Sequence, residues 1–387
     1  MHDELFRSEN IVVRRVCVAG KAAGISTGSA VIITFGSYTN EPTLDRPGFG
    51  QEFLHRARID AIHVINRFNR WYQHPERDEA LAAVATAVSG YDRVITYGSS
   101  MGGYAALRYA VPCGAQVATA ISPQFSVDPR VTPWEVRWQP DVVRTRFAEP
   151  PYVAAPRQYV FYDPRVALDE RHVDLIASAG ATERIPIPYG GHPVGALLAE
   201  TGVLQAAIRG IVAGDFDPRA VRTQVRRERF ASQHQYFVLA RRWAQRRPAV
   251  AVQLLERAAA IEPESHILSA QAALLDRLGR CEEAAPLHRA AIRRTPNNAV
   301  AWIGYASHLE ANGDGQQASL ALRRAAAGHA GAQAGSMLLR IRVLQVRMWL
   351  RRNGAGWLNR LFGRLVIWVE QSRWQAVILR RIGAGLR

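Results

Sequence analysis

Residues Val94-Ile-Thr-Tyr-Gly98-Ser-Ser100-Met-Gly102-Gly-Tyr104 decide the reading of this chain. An apolar run enters Gly-x-Ser-x-Gly and leaves as Tyr104-Ala-Ala-Leu-Arg-Tyr-Ala110, a good helix former with an apolar face. A serine between strand and helix sits on a sharp turn with its hydroxyl lifted above the sheet. Gly98 and Gly102 permit the close backbone approach that such a turn requires. The amides that open the helix are then free to face a developing negative charge beside Ser100.

Outward from that turn, residues 11 to about 212 alternate strand and helix. Strands are expected at 11–18, 30–35, 61–65, 93–97, 116–121, 158–162 and 184–188, and helices at 50–58, 77–89, 101–111, 169–179 and 193–211. Nearly continuous apolar strands imply a mostly parallel sheet covered by helices on both faces. Residues 122–156 interrupt the rhythm with prolines and with Trp134, Arg137, Trp138 and Arg146. They read either as a cap over the site or as a structural loop.

A serine hydroxyl needs a base, and the base needs an orienting acid. In the order Ser, acid, His, the histidine is His192, in Tyr189-Gly-Gly-His-Pro193 after the last strand. Pro193 suits the first position of the following helix. His172, within an expected helix, is the weaker choice. Asp163 directly follows a strand and is the preferred acid, with Asp169 the alternative. Asp169 also has a ready role as a helix N-cap. The oxyanion would be met by the Met101 amide and by an amide of Gly36 or Ser37, worth about 3 kcal/mol per donor. Trp71, Tyr72 and Trp134 are candidates to line a substrate site, although Trp71 and Tyr72 read more readily as loop anchors.

On these motifs residues 1–214 resemble the α/β-hydrolase superfamily, with 122–156 as a cap excursion. The resemblance implies a serine esterase or acyl hydrolase that works through an acyl-serine, without metal or organic cofactor. The segment Asn66–Gln73 resembles a stretch of bacterial hydrolase-like proteins associated with surface-polysaccharide gene sets. Two alternatives stay open: an acyltransferase with a sugar or lipid acceptor, and an inactive hydrolase fold serving as a binding platform.

Beyond a basic linker at 215–230, strand-like runs stop. Residues 231–331 repeat with a period of 33–34: Leu278-Gly279 recurs at Asn312-Gly313, and Ala284 at Ala318. Small residues at helix crossings resemble the tetratricopeptide repeat, which implies an α-helical domain that binds a protein partner. Residues 332–387 form a basic tail with amphipathic stretches at 337–352 and 357–369. Two readings fit 337–382, a cap on the repeats or a helix on an anionic membrane surface.

The 387 residues carry a net charge of +16, of which ten belong to residues 335–387. With one lysine among 49 basic residues and no interleaved basic–aromatic pattern, the charge does not point to nucleic acid. No signal-like segment opens the chain, and three scattered cysteines, Cys17, Cys113 and Cys281, read as buried thiols without zinc-ligand spacing. The expected location is cytoplasmic, with peripheral attachment to the inner membrane face if the tail binds lipid.

Overall fold

The computed structural model describes residues 2–17, 30–327, 341 and 344–346. The chain divides into two compact units, Met1–Gln235 and Tyr236–Arg387.

The first unit is built on one eight-stranded sheet: β1 His2–Arg7, β2 Ile11–Val16, β3 Ala30–Phe35, β4 Asp60–Asn66, β5 Arg93–Ser99, β6 Val117–Ile121, β7 Arg157–Tyr162 and β8 Thr182–Pro186. The spatial order is β1-β2-β4-β3-β5-β6-β7-β8, with β2 antiparallel to both its neighbours and the rest parallel. The sheet is mixed and mostly parallel, as the apolar strand pattern led one to expect. The parallel strands β3, β4, β5, β6 and β7 are buried along nearly their whole length, as their continuous apolar sequences require. Helices α1 (Gln51–Arg56), α2 (Arg77–Val88), α3 (Met101–Arg108), α4 (Gln139–Val142), α5 (Ala167–Ala179), α6 (Gly195–Glu200) and α7 (Val203–Ala213) follow in chain order. One apolar cluster joins Val31, Ile33 and Ile62 of the sheet to Val84 of α2 and Tyr104 of α3. The opposite cluster joins Ile32, Ile95 and Phe161 to Leu197 of α6 and Ile208 of α7. The sheet is thus covered on both faces.

Four expectations change. The helix expected over 193–211 breaks at Gly202, whose φ of +71° only glycine adopts without strain. Pro193 precedes α6 instead of opening it. The stretch 215–230, expected as a linker, forms α8 (Pro218–Glu228), capped by the Asp217 side chain on the Arg219 amide. Its Val221 and Val225, one turn apart, are buried in the cluster around Ile208, so this helix belongs to the first core. Of the three free cysteines only Cys113 is buried; Cys17 and Cys281 are partly exposed.

The second unit is helical: α9 (Gln233–Trp243), which begins just before the boundary, then α10 (Pro248–Ile261), α11 (Ser265–Arg277), α12 (Cys281–Arg294), α13 (Ala299–Ala311) and α14 (Gly315–Ala327). The bounds of α11 and α13 are offset by 34 residues, and both α12 and α14 start at the same offset. Ala284, Ala291, Ala318 and Ala325 are fully buried where the helices cross, since an alanine contact allows close approach. No described helix is long and apolar enough to cross a membrane. Most of the amphipathic tail, including all of 357–369, lies outside the described residues.

Candidate active site

The chain turns from β5 into α3 at Ser100, with φ +52° and ψ −116°. A non-glycine residue there is strained, and the surroundings hold it. The Ser100 amide donates to Ile121 O of β6 (2.8 Å), and Ser100 O accepts the Tyr104 amide (2.9 Å). A Cβ on Gly98 would collide with Gly102 O, and one on Gly102 with Phe35 O. Both glycines are therefore demanded by backbone approach on two sides of the serine.

His192 reaches this serine from the loop after β8. Its Nε2 lies 3.1 Å from Ser100 Oγ, and its Nδ1 lies 2.7 Å from Asp169 Oδ2. An ionised carboxylate can only accept, so Nδ1 carries the proton and Nε2 is left to accept from the hydroxyl. Ser100 and Asp169 are buried, and the His192 side chain is 14% exposed. The acid on the histidine is Asp169, the second choice from sequence, and not Asp163. Asp163 Oδ1 accepts the amides of Arg165 (2.8 Å) and Tyr189 (3.1 Å), and Oδ2 that of Gly191 (2.9 Å). It fixes the loop that carries His192 without touching the imidazole. Burial raises its pKa against those three amides. Asp169 is not an N-cap either; the cap is Val166, and Asp169 lies in the first turn of α5.

The excursion 122–156 supplies what the sequence did not announce. Arg137 Nη1 lies 2.7 Å from Asp169 Oδ1, so the carboxylate is held on one oxygen by a guanidinium and on the other by the imidazole. Arg137 is held in turn by Glu135, with Nη2–Oε2 at 2.6 Å and Nε at 3.1 Å from both carboxylate oxygens. Glu135 Oε2 also meets His172 Nε2 at 2.9 Å, while His172 Nδ1 accepts the Phe125 amide at 3.2 Å. These two contacts define a neutral, Nε2-protonated His172. His172 is thus a buried strut behind the acid, set apart from the serine. Burial pushes the Glu135 carboxyl up, but the His172 and Arg137 hydrogen bonds outweigh it and hold the pKa at about 2. Burial lowers the His172 pKa more than Glu135 raises it.

A stability prediction follows with a definite sign. His172, its folded pKa depressed, contributes stability that is complete above about pH 6.5 and fades below it. Glu135 contributes stability present above about pH 4.5 and lost as pH falls towards 2. Urea unfolding of the first-unit transition should therefore show a His172→Gln variant losing less stability than the natural chain between pH 7 and 5. Parallel losses in the two proteins would remove His172 from the account.

Two further side chains face the reacting centre. Gln124 Nε2 lies 3.3 Å from Ser100 Oγ, and Gln124 Oε1 accepts Trp71 Nε1–H at 3.1 Å. The indole can only donate, so it fixes which end of the amide faces the serine. Trp138 packs its ring 5.9 Å from that of His192 and 5.8 Å from that of Trp71. The expected lining residues are placed differently. Trp71 and Tyr72 are fully buried anchors, with Tyr72 Oη donating to Gly36 O (2.9 Å). Trp134 packs its ring at a tilt 4.5 Å from that of His172, under Arg171, and not on the serine. Arg108, in α3, pins the excursion by donating to Phe125 O and Pro150 O, both at 2.8 Å.

Met101 opens α3, where its amide has no partner within the helix. The Gly36 amide is engaged by Val64 O (3.3 Å), and Ser37 Oγ donates to Ser99 O (3.0 Å) beside the turn. Of the two amides expected as a second donor, that of Gly36 is thus engaged in the sheet, which leaves that of Ser37.

No protein-family model matches the sequence, and no curated protein matches it. Solved structures do. An esterase of Thermogutta terrifontis is 15% identical with a TM-score of 0.39, covering 57% of this chain and 94% of its own. The fluorophosphonate-binding serine hydrolase F of Staphylococcus aureus is 12% identical with a TM-score of 0.36, covering 58% and 97%. A dienelactone hydrolase of Anabaena variabilis is 16% identical with a TM-score of 0.36, covering 55% and 94%. These likenesses are remote, and the chemistry of the site rests on its own geometry.

Proposed function

We propose that the first unit is a serine hydrolase that cleaves an ester or thioester through an acyl-serine. The observation that carries this reading is the unbroken relay Ser100 Oγ–His192 Nε2, 3.1 Å, and His192 Nδ1–Asp169 Oδ2, 2.7 Å, at a serine held at φ +52°. Ser100 Oγ attacks the acyl carbon as its proton passes to His192 Nε2. The imidazolium is stabilised by Asp169, whose second oxygen is tied to Arg137. The tetrahedral oxyanion is met by the amides of Met101 and Ser37. Collapse expels the alcohol or thiol, which leaves with the proton from His192. Water then repeats the sequence on the acyl-serine and releases the acid. Gln124 Nε2, fixed by Trp71, donates towards Oγ and holds the hydroxyl in line with the imidazole.

The same acyl-serine can pass to an acceptor hydroxyl. That second reading, transfer to a sugar or lipid hydroxyl, uses the same serine, histidine and acid. The 34-residue helical hairpins of the second unit are read as tetratricopeptide-like, with a protein partner as their ligand.

The test is covalent. An aryl fluorophosphonate should label the intact chain once, with the adduct mapped by peptide mass to the segment holding Ser100. Absence of labelling, or labelling mapped elsewhere, leaves a hydrolase-fold binding platform. Product analysis with an acyl ester, with and without added sugar, separates hydrolysis from transfer.

A further inference from the structure

We propose that Asp276, His288 and His308, in the helical unit, form a binding site for a divalent ion of the zinc class. The three residues come from three helices, α11, α12 and α13. His288 Nε2 lies 2.9 Å from Asp276 Oδ2, and His308 Nδ1 lies 2.7 Å from Asp276 Oδ1. One ligand atom from each falls within 4.8 Å of the others. Zinc takes imidazole nitrogen at about 2.0–2.1 Å and carboxylate oxygen at about 2.0–2.2 Å, which puts tetrahedral ligands roughly 3.3–3.5 Å apart. Opening the two N–O contacts by about 0.5–0.7 Å and drawing in the third separation, which lies within 4.8 Å, through χ changes would accommodate the ion. Two imidazoles and one carboxylate suit zinc in preference to calcium or magnesium, which want oxygen alone.

The repeat itself supplies the second observation. At the 34-residue offset, His288 corresponds to Leu322, which is fully buried, and at the 33-residue offset between α10 and α12 it corresponds to Leu255, also buried. His308 corresponds to Leu274, also buried. The two histidines are themselves 1% and 6% exposed. At two positions where the pattern uses leucine, this chain buries an imidazole, and both imidazoles meet the same carboxylate. Burying a polar ring in place of leucine costs stability unless a partner compensates. Two independent departures that converge on one acid have a common cause in a shared ligand. The ion would tie α11, α12 and α13 together across two successive hairpins, a structural role.

The experiment uses the full chain without an affinity tag, stripped with a chelator and dialysed against zinc chloride. The expected result is about one zinc per chain above the level bound by a His288→Leu/His308→Leu variant, whose affinity falls at least about 100-fold. Zinc should also raise the unfolding temperature of the natural chain and leave that of the variant unchanged. The variant restores the leucines of the equivalent positions, so its core remains apolar. Zinc K-edge absorption on the natural chain gives a readout that needs no variant: two imidazoles and oxygen are expected in the ion's shell. Equal zinc in both proteins, no effect on unfolding, or an all-oxygen shell would overturn the proposal. The imidazoles would then only hydrogen-bond Asp276.

Discussion

Ser100→Ala is expected to lower kcat/KM on a short-chain aryl ester by at least about ten-thousandfold, with the unfolding temperature nearly unchanged. Alanine removes the only atom that can carry the acyl group. It keeps a Cβ in the same strained backbone well, held by the Ile121 and Tyr104 contacts, so the turn has no new reason to open. His192→Ala should cost a similar factor, because the hydroxyl at Oγ has one base within reach. The decisive comparison is the double variant. Groups that act as one relay fail together, so Ser100→Ala/His192→Ala should be no worse than either single change. If the losses multiply, the two side chains contribute separately, and the acyl-serine account is wrong. Steady-state kinetics on the three variants and thermal unfolding of each decide the matter.

How far this site could be read in advance depended on how local each cause is. The turn at Ser100 was legible because its constraints fall on its own glycines: Gly98 and Gly102 are where a Cβ would strike Gly102 O and Phe35 O. His192 was legible from its position, since a loop at the carboxyl end of the last parallel strand opens over the same sheet edge as the serine. The buried strands were legible as unbroken apolar runs. Strand β1 was not, because His2–Arg7 lies at the sheet edge, pairs only with β2 and is polar except for the adjacent Leu5 and Phe6, showing neither alternation nor an apolar run. The acid could not be resolved locally. Asp163 and Asp169 both follow β7 within seven residues, and the choice is made by partners far away in sequence. Amides at 165, 189 and 191 use up Asp163, whereas Arg137 turns Asp169 towards the imidazole. Gln124 carried a faint signal, two residues beyond the turn that ends β6, but its aim at Ser100 is set by Trp71, 53 positions earlier. The two imidazoles at 288 and 308 show only when hairpins are overlaid at 34 residues, a comparison of positions and not a motif.

The contest between the two carboxylates yields the second large effect. Asp169→Asn should lower kcat about ten-thousandfold, while Asp163→Asn leaves kcat within about tenfold of the natural value. The reason lies in the proton. Asparagine at 169 can turn its NH2 towards His192 Nδ1, since Arg137 is a donor and claims the amide oxygen. Nδ1 then becomes the acceptor, the proton moves to Nε2, and the imidazole no longer accepts from Ser100. Geometry survives and basicity is lost. Asparagine at 163 offers one acceptor oxygen, and its NH2 faces a donor where the second carboxylate oxygen accepted, so at least one of the three backbone amides is left unpaired. The cost falls on folding, about 1–3 kcal/mol for a buried donor without a partner, and on the hold over Tyr189–Gly191. The two variants should therefore separate on two axes. Asp169→Asn loses turnover and keeps its urea midpoint, while Asp163→Asn loses midpoint and keeps most turnover. A larger loss of kcat from Asp163→Asn than from Asp169→Asn would return the acid to Asp163 and leave the Arg137–Asp169 pair as scaffolding.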